Sequence, residues 1–172
     1  VEIKLNKLEK SFDNGKILKE GIKTAIIGKP NAGKSSLLNR ILKEDRAIVT
    51  EFEGTTRDTI EEFVNINGIP LKLIDTAGIR NAKDEVEKIG IHKSKEIAKN
   101  ADLIIAIFDA SKPLSKEDKE ILEIIKGKKV IILLNKIDLQ QELHKEDKDF
   151  REVTDSIIEI SALNNIGIDD VY

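Results

Sequence analysis

The chain has 172 residues, enough for one domain with a sizeable core, and a formal net charge of −3 that argues against a general nucleic-acid-binding field. Cysteine is absent, which excludes disulfides and thiolate metal sites within the chain and accords with a cytoplasmic setting. No apolar run approaches a membrane span, and the start is too charged for a secretory signal. In chain order, Val1, Leu5, Leu8 and Phe12 recur at helical spacing and predict a helix with one apolar stripe. Lys23–Gly28 is predicted as the first strand and Lys34–Lys43 as the first helix. Thr59–Ile66 and Ile69–Asp75 flank Asn67-Gly68, a strong hairpin signal, so they should pair antiparallel at one edge of an otherwise parallel sheet.

Further along, Asp84–Lys99 reads as a helix with acidic residues in its first turn, and Leu103–Phe108 as a buried strand. Ser115 caps a predicted helix, Ser115–Lys126, whose apolar residues are Ile121, Leu122, Ile124 and Ile125. Val130–Leu134 and Ile157–Ile160 are the last two strands. Glu142–Arg151 is rich in charge and reads as a solvated loop or short helix. Strands alternating with helices give an α/β fold whose parallel connections should cross over right-handed.

Gly28-Lys-Pro-Asn-Ala-Gly-Lys-Ser35 is a complete G-x-x-x-x-G-K-[ST] loop between the first strand and the first helix. A chance match would not place both elements where phosphate binding needs them. Backbone N–H groups along Asn31, Ala32, Gly33, Lys34, Ser35 and Ser36 would converge on the phosphates with the helix N-terminus behind them. Lys34 would reach the terminal phosphates, and the Ser35 hydroxyl would enter a Mg²⁺ shell. Asn135-Lys-Ile-Asp138 closes a buried strand at its carboxyl end, where ligands bind in open α/β sheets. An Asp138 carboxylate can accept from both N1–H and the exocyclic amine of guanine, whereas adenine offers no such donor pair. Lys136 would lay its stem along the base, and Asn135 would tie this loop to the phosphate loop. Alone, such a tetrapeptide is an ordinary polar strand end; in register with the phosphate loop it points to guanine.

Between these motifs lie candidate moving parts. Gly54-Thr55-Thr56-Arg57-Asp58 precedes the second strand, and a threonine hydroxyl there would complete the Mg²⁺ shell only with a γ-phosphate present. Asp75-Thr-Ala-Gly78 ends the third strand; Asp75 would hold Mg²⁺ through water and the Gly78 N–H would sense the γ-phosphate. Ser161-Ala162-Leu163 follows the last strand, where backbone N–H groups could meet the guanine carbonyl.

These motifs, in this order, resemble those of the translation-factor-related GTPases, and within them the TrmE-Era-EngA-like family. The residues that carry it are Gly28 to Asn39, Ile48-Val-Thr50, Gly54 to Asp58 and Asp75-Thr-Ala-Gly-Ile-Arg80. Asp84-Glu-Val-Glu-Lys-Ile-Gly-Ile91 narrows the resemblance to the G domain of the tRNA-modification GTPases. The resemblance covers essentially the whole chain. It implies a P-loop NTPase G domain with helices on both faces of the sheet, over residues 21–172, with its closing helix truncated. Residues 1–20 resemble the passage out of a helical domain. A start at Val1 with no methionine anywhere is read as a fragment of a longer protein.

The resemblance also assigns roles. Ile79 stands where many small GTPases carry a water-orienting glutamine, so the resemblance puts that task on Glu87, with Glu85 as a nearby competitor and a solvated helix face as the alternative. It implies a potassium site from the Asn31 side chain and the carbonyls of Thr50 and Phe52, with Thr55 nearby; Glu53 stands where a small residue is expected. Arg57 and Arg80 adjoin the switch motifs. Potassium-dependent pairing of two G domains would follow, and in the full-length protein tRNA and a flavin-binding partner, MnmG. The competing readings are a ribosome-assembly GTPase of the Era or Der type, a ferrous-iron-transport G domain, and a nucleotide-dependent interaction module without hydrolysis.

Overall fold

The computed structural model describes residues 21–43, 62–66, 68–74 and 91–171. Six strands form one sheet: β1 (Ile22–Ile27), β2 (Glu62–Ile66), β3 (Ile69–Ile74), β4 (Leu103–Asp109), β5 (Val130–Asn135) and β6 (Ile157–Ile160). Their order is β2-β3-β1-β4-β5-β6, and only the β2–β3 pair is antiparallel. The hairpin between them turns at Gly68, whose φ of 87° suits glycine, and the Asn65 side chain accepts from the Gly68 N–H at 2.7 Å. The expected edge hairpin on an otherwise parallel sheet is therefore present.

Helices cover both faces. The apolar runs in β4 and β5 are continuous because each residue is buried on one face or the other. Leu103, Ile105, Ile107, Ile131 and Leu133 face α1 (Lys34–Lys43), which buries Leu37, Leu38 and Ile41 against them. Ile104, Ala106, Phe108, Ile132 and Leu134 face the opposite layer, formed by α2 (Ile91–Asn100) and α3 (Lys116–Ile125). Full burial of each of the leucine, isoleucine and phenylalanine side chains stabilises by about 1.5–3 kcal/mol. The α3 N-terminus carries a complete capping box: Ser115 Oγ accepts from the Asp118 N–H, and the Asp118 carboxylate accepts from the Ser115 N–H.

The segment expected to be solvated is anchored. Leu143 and Phe150 are buried, the latter on a short helix, α4 (Lys148–Arg151), with its ring 5.2 Å from that of Phe108. Its charged residues stay mostly exposed, so high charge density masked two apolar anchors seven residues apart. The chain end folds as a 3₁₀ turn, Ile168–Asp170, that puts Ile168 and Val171 into the core on the α1 side. Residues 1–20 and the N-terminal part of the predicted Asp84–Lys99 helix lie outside the described residues.

Candidate nucleotide-binding site

The sheet order places β1 between β3 and β4, so the direction of winding reverses at the carboxyl end of β1. A ligand crevice belongs at such a switch point. Parallel register brings further polar residues to the same edge: Asp109 of β4 stands beside Asn135 of β5, and Asn135 beside Ile160 of β6, the residue before Ser161. Both Asp109 and Asn135 extend their strands one residue beyond the apolar runs.

The loop leaving β1 needs its residue types. Asn31 and Gly33 have φ of 62° and 110°, and asparagine and glycine tolerate that region best. A Cβ on Gly28 would sit 2.5 Å from the Ile107 carbonyl oxygen, and one on Gly33 would collide with the Asn135 side-chain amide. The loop therefore lies directly on the ends of β4 and β5. Lys34 opens α1, is 5% exposed, and donates to the Lys29 carbonyl at 2.7 Å. Ser35 is half-buried beside it, Ala32 is buried, and Asn31 and Ser36 are exposed.

One buried side chain joins three motifs. Asn135 is 3% exposed; its Nδ2 donates to the Ala32 carbonyl at 2.8 Å, and its Oδ1 accepts from the Ala162 N–H at 3.0 Å. The phosphate loop, the end of β5 and the Ser161–Leu163 turn are thereby held as one unit. Ser161 and Ala162 are buried, and Leu163 is 75% exposed. Lys136, at φ 71°, swings its ammonium to Asp109 Oδ2 at 2.6 Å. Asp138 is exposed at the mouth of this edge. Burial pushes the Asp109 carboxyl up, but hydrogen bonds from Lys136 and from the Ser111 hydroxyl and N–H outweigh it and hold Asp109 below its ordinary value.

Three contributors were not expected from sequence. Asp109 seats the base-loop lysine and has no motif of its own. Arg40, in the second half of α1, donates to the carbonyls of Ala162 at 3.4 Å and Leu163 at 3.0 Å, a second tie between the phosphate helix and the last turn. Lys29 pairs with Asp118 at 2.6 Å. Of the expected site residues, Thr50, Phe52, Glu53, Thr55, Thr56, Asp75, Gly78 and Glu87 lie outside the described residues. For magnesium the described donor is Ser35, in the first turn of α1, and a hard cation there would need phosphate oxygens to complete its shell. No cluster of three or more His, Asp or Glu residues that could hold a metal unaided occurs among the described residues.

A family model described as "50S ribosome-binding GTPase" matches residues 23–136. The chain belongs to this GTPase family. It is accordingly a GTP-binding, GTP-hydrolysing G domain. It is 60% identical over 167 residues to the tRNA modification GTPase MnmE of Clostridioides difficile (strain 630), across 97% of this chain and 36% of that relative. MnmE of Alkaliphilus oremlandii is 51% identical over 171 residues, across 99% of this chain and 37% of that protein. The chain thus spans little more than a third of the length of these relatives. Among solved structures, it resembles a point variant of Aquifex aeolicus Era bound to GDP.AlF4-, with TM-score 0.55 and 27% identity over 87% of this chain and 54% of that one. The G domain of the Thermotoga maritima FeoB iron transporter shares the fold, with TM-score 0.57 at 24% identity over 88% of this chain and 94% of that one. No helix among the described residues is long and apolar enough to cross a membrane.

Proposed function

We propose that this domain is the GTP-driven switch of a cytoplasmic tRNA wobble-uridine modification GTPase, activated when potassium pairs two G domains. The Asn135 junction carries the nucleotide half of this reading, because it locks the phosphate loop and the two base-side motifs into one surface. The 60% identity to an MnmE protein supports the tRNA half. In this reading Asn31, Ala32, Gly33, Lys34, Ser35 and Ser36 hold the phosphates, while Asn135, Lys136, Asp138, Ser161, Ala162 and Leu163 surround guanine. Thr55, Thr56 and Gly78 sense the γ-phosphate. Ser35, Thr56 and Asp75 would hold magnesium, which would supply charge neutralisation at the phosphates. Glu87 orients the attacking water, because Ile79 has no group to do so.

Phosphoryl transfer spreads charge over the phosphate oxygens, and a well-placed cation such as an arginine finger is worth about 10³–10⁵ in rate. The Asn31 side-chain oxygen, the Thr50 and Phe52 carbonyls and Thr55 would hold potassium, which would supply that positive charge. Asn31 is exposed at the loop tip, as a residue shared with an incoming cation must be. In the full-length protein, tRNA and MnmG are the partners.

The test is turnover of GTP and ATP in potassium and in sodium, with the size of the complex measured in the presence of GDP and aluminium fluoride. GTP turnover should be faster in potassium, ATP should not be hydrolysed, and the analogue complex should be dimeric in potassium alone. Equal rates in both salts with a monomeric complex would refute the activation scheme. Cosedimentation with ribosomes would instead favour the Era-like reading.

A further inference from the structure

Lys29 lies inside the phosphate loop, yet its ammonium is engaged by a different element. It reaches the N-terminus of α3, with Nζ 2.6 Å from Asp118 Oδ2 and 2.9 Å from Ser115 Oγ. The pair is sheltered, the two side chains being 20% and 6% exposed. A surface lysine pair contributes little because water screens it and the chain entropy of holding it is lost. This one joins a formed network: Asp118 Oδ2 also accepts from the Ser115 N–H at 2.9 Å and the Ser115 hydroxyl at 2.7 Å. The capping box is therefore also a socket for a lysine 86 residues away from Ser115 in sequence.

The other end of the same residue serves the phosphate site. The Lys29 carbonyl accepts from Lys34 Nζ at 2.7 Å and from the Ala32 N–H at 3.3 Å. Pro30 follows and biases the Lys29 backbone toward an extended conformation, which leaves the peptide little freedom to turn. We propose that Lys29 is a positioning residue: its ammonium, locked into the α3 cap, fixes the carbonyl that seats Lys34 for the terminal phosphates. This rests on the guanine-nucleotide reading of the site. The clamp also makes the α3 N-terminus a structural partner of the phosphate loop, so that loss of the Asp118 charge reaches the phosphates through Lys29.

The test uses the 172-residue chain, with GDP and guanosine affinities measured by competition against a fluorescent guanine nucleotide, and melting temperature followed in parallel. Lys29→Met should weaken GDP by about tenfold, the scale of one lost charge-assisted hydrogen bond, and leave guanosine unchanged. Asp118→Asn keeps an acceptor for the cap and loses only the charge, so it should reproduce that loss without touching guanosine. The double variant should be no worse than either single one, and Lys29→Arg should restore most of the affinity. A loss in Lys29→Met that Asp118→Asn does not share would mean that Lys29 touches phosphate directly, and would overturn the clamp. Lower melting temperatures with unchanged GDP affinity would reduce it to a structural staple and overturn it equally. Additive losses in the double variant, or guanosine losing as much as GDP, would do the same. A wild type that binds neither GDP nor guanosine would remove the nucleotide reading itself.

Discussion

Asn135→Ala removes the side chain that joins the phosphate loop to the base-side turn. Truncation leaves the Ala162 N–H without its acceptor and the Ala32 carbonyl without its donor, at two residues that are 3% and 2% exposed. An orphaned buried donor costs about 1–3 kcal/mol, and a carbonyl somewhat less because its second lone pair gives it more chances of a partner. Together with the lost packing against Gly33, a destabilisation of about 2–4 kcal/mol is expected. A domain with about 5–15 kcal/mol of stability survives that loss and remains measurable. Urea unfolding should show a lower midpoint at unchanged slope, and GDP affinity should fall because both loops must then be ordered on binding. Asn135→Asp is the sharper variant: it keeps an acceptor for the Ala162 N–H but sets a carboxylate against the Ala32 carbonyl, and should be no more stable than the alanine variant. If Asn135→Ala lost less than about 0.5 kcal/mol, the range of ordinary surface substitutions, and bound GDP normally, the junction would be incidental.

Asp138→Asn should shift preference from guanine to xanthine nucleotides, whose altered donor pattern suits an amide; equal GTP and ATP affinity in the wild type would remove the basis for that shift. Glu87→Ala should leave GTP binding near normal and slow single-turnover hydrolysis in potassium, the pattern of a group needed mainly in the transition state, and an unchanged rate would return Glu87 to the solvated surface. Asp109 carries a pH signature. Its folded-state value lies below 3.8, so the stability it contributes is present above that value and is lost as pH falls through 3.8 toward the folded-state value. Asp109→Asn should flatten the acid limb of stability that urea titrations trace as pH falls below 3.8, and an unchanged acid limb would show that the hydrogen bonds from Lys136 and Ser111 contribute nothing.

What could be read from sequence, and what could not, divides by the range of the interactions. Leu103–Phe108 and Val130–Leu134 were legible as strands because burial on both faces removes polar residues from the run, and Asn67-Gly68 was legible because few residues accept positive φ. Asp109 and Asn135 looked like the first loop residues after those strands. The backbone ladder continues through them, and their side chains do the joining at the sheet edge. Leu143 and Phe150 were hidden by the lysines and acidic residues around them, since a window average cannot register two anchors in an otherwise charged stretch.

The side-chain pairs of the site mark the boundary most clearly. Asn135 with Ala32 spans 103 residues, and it was foreseeable because both belong to motifs whose ligand brings them together. Lys29 with Ser115 and Asp118 spans a comparable distance and belongs to no motif. Half of that pair was nevertheless written locally: Ser115-x-x-Asp118 before an apolar run is a capping pattern. A carboxylate committed to a cap still has unused acceptor capacity, and here it faces the loop that leaves a neighbouring strand of the same sheet. Right-handed crossovers put the start of α3, reached from the end of β4, at the same sheet edge as the loop leaving β1. A cation in that loop with no phosphate assigned to it is therefore a candidate for the cap carboxylate, and Lys29 meets that condition as soon as the strand order is known.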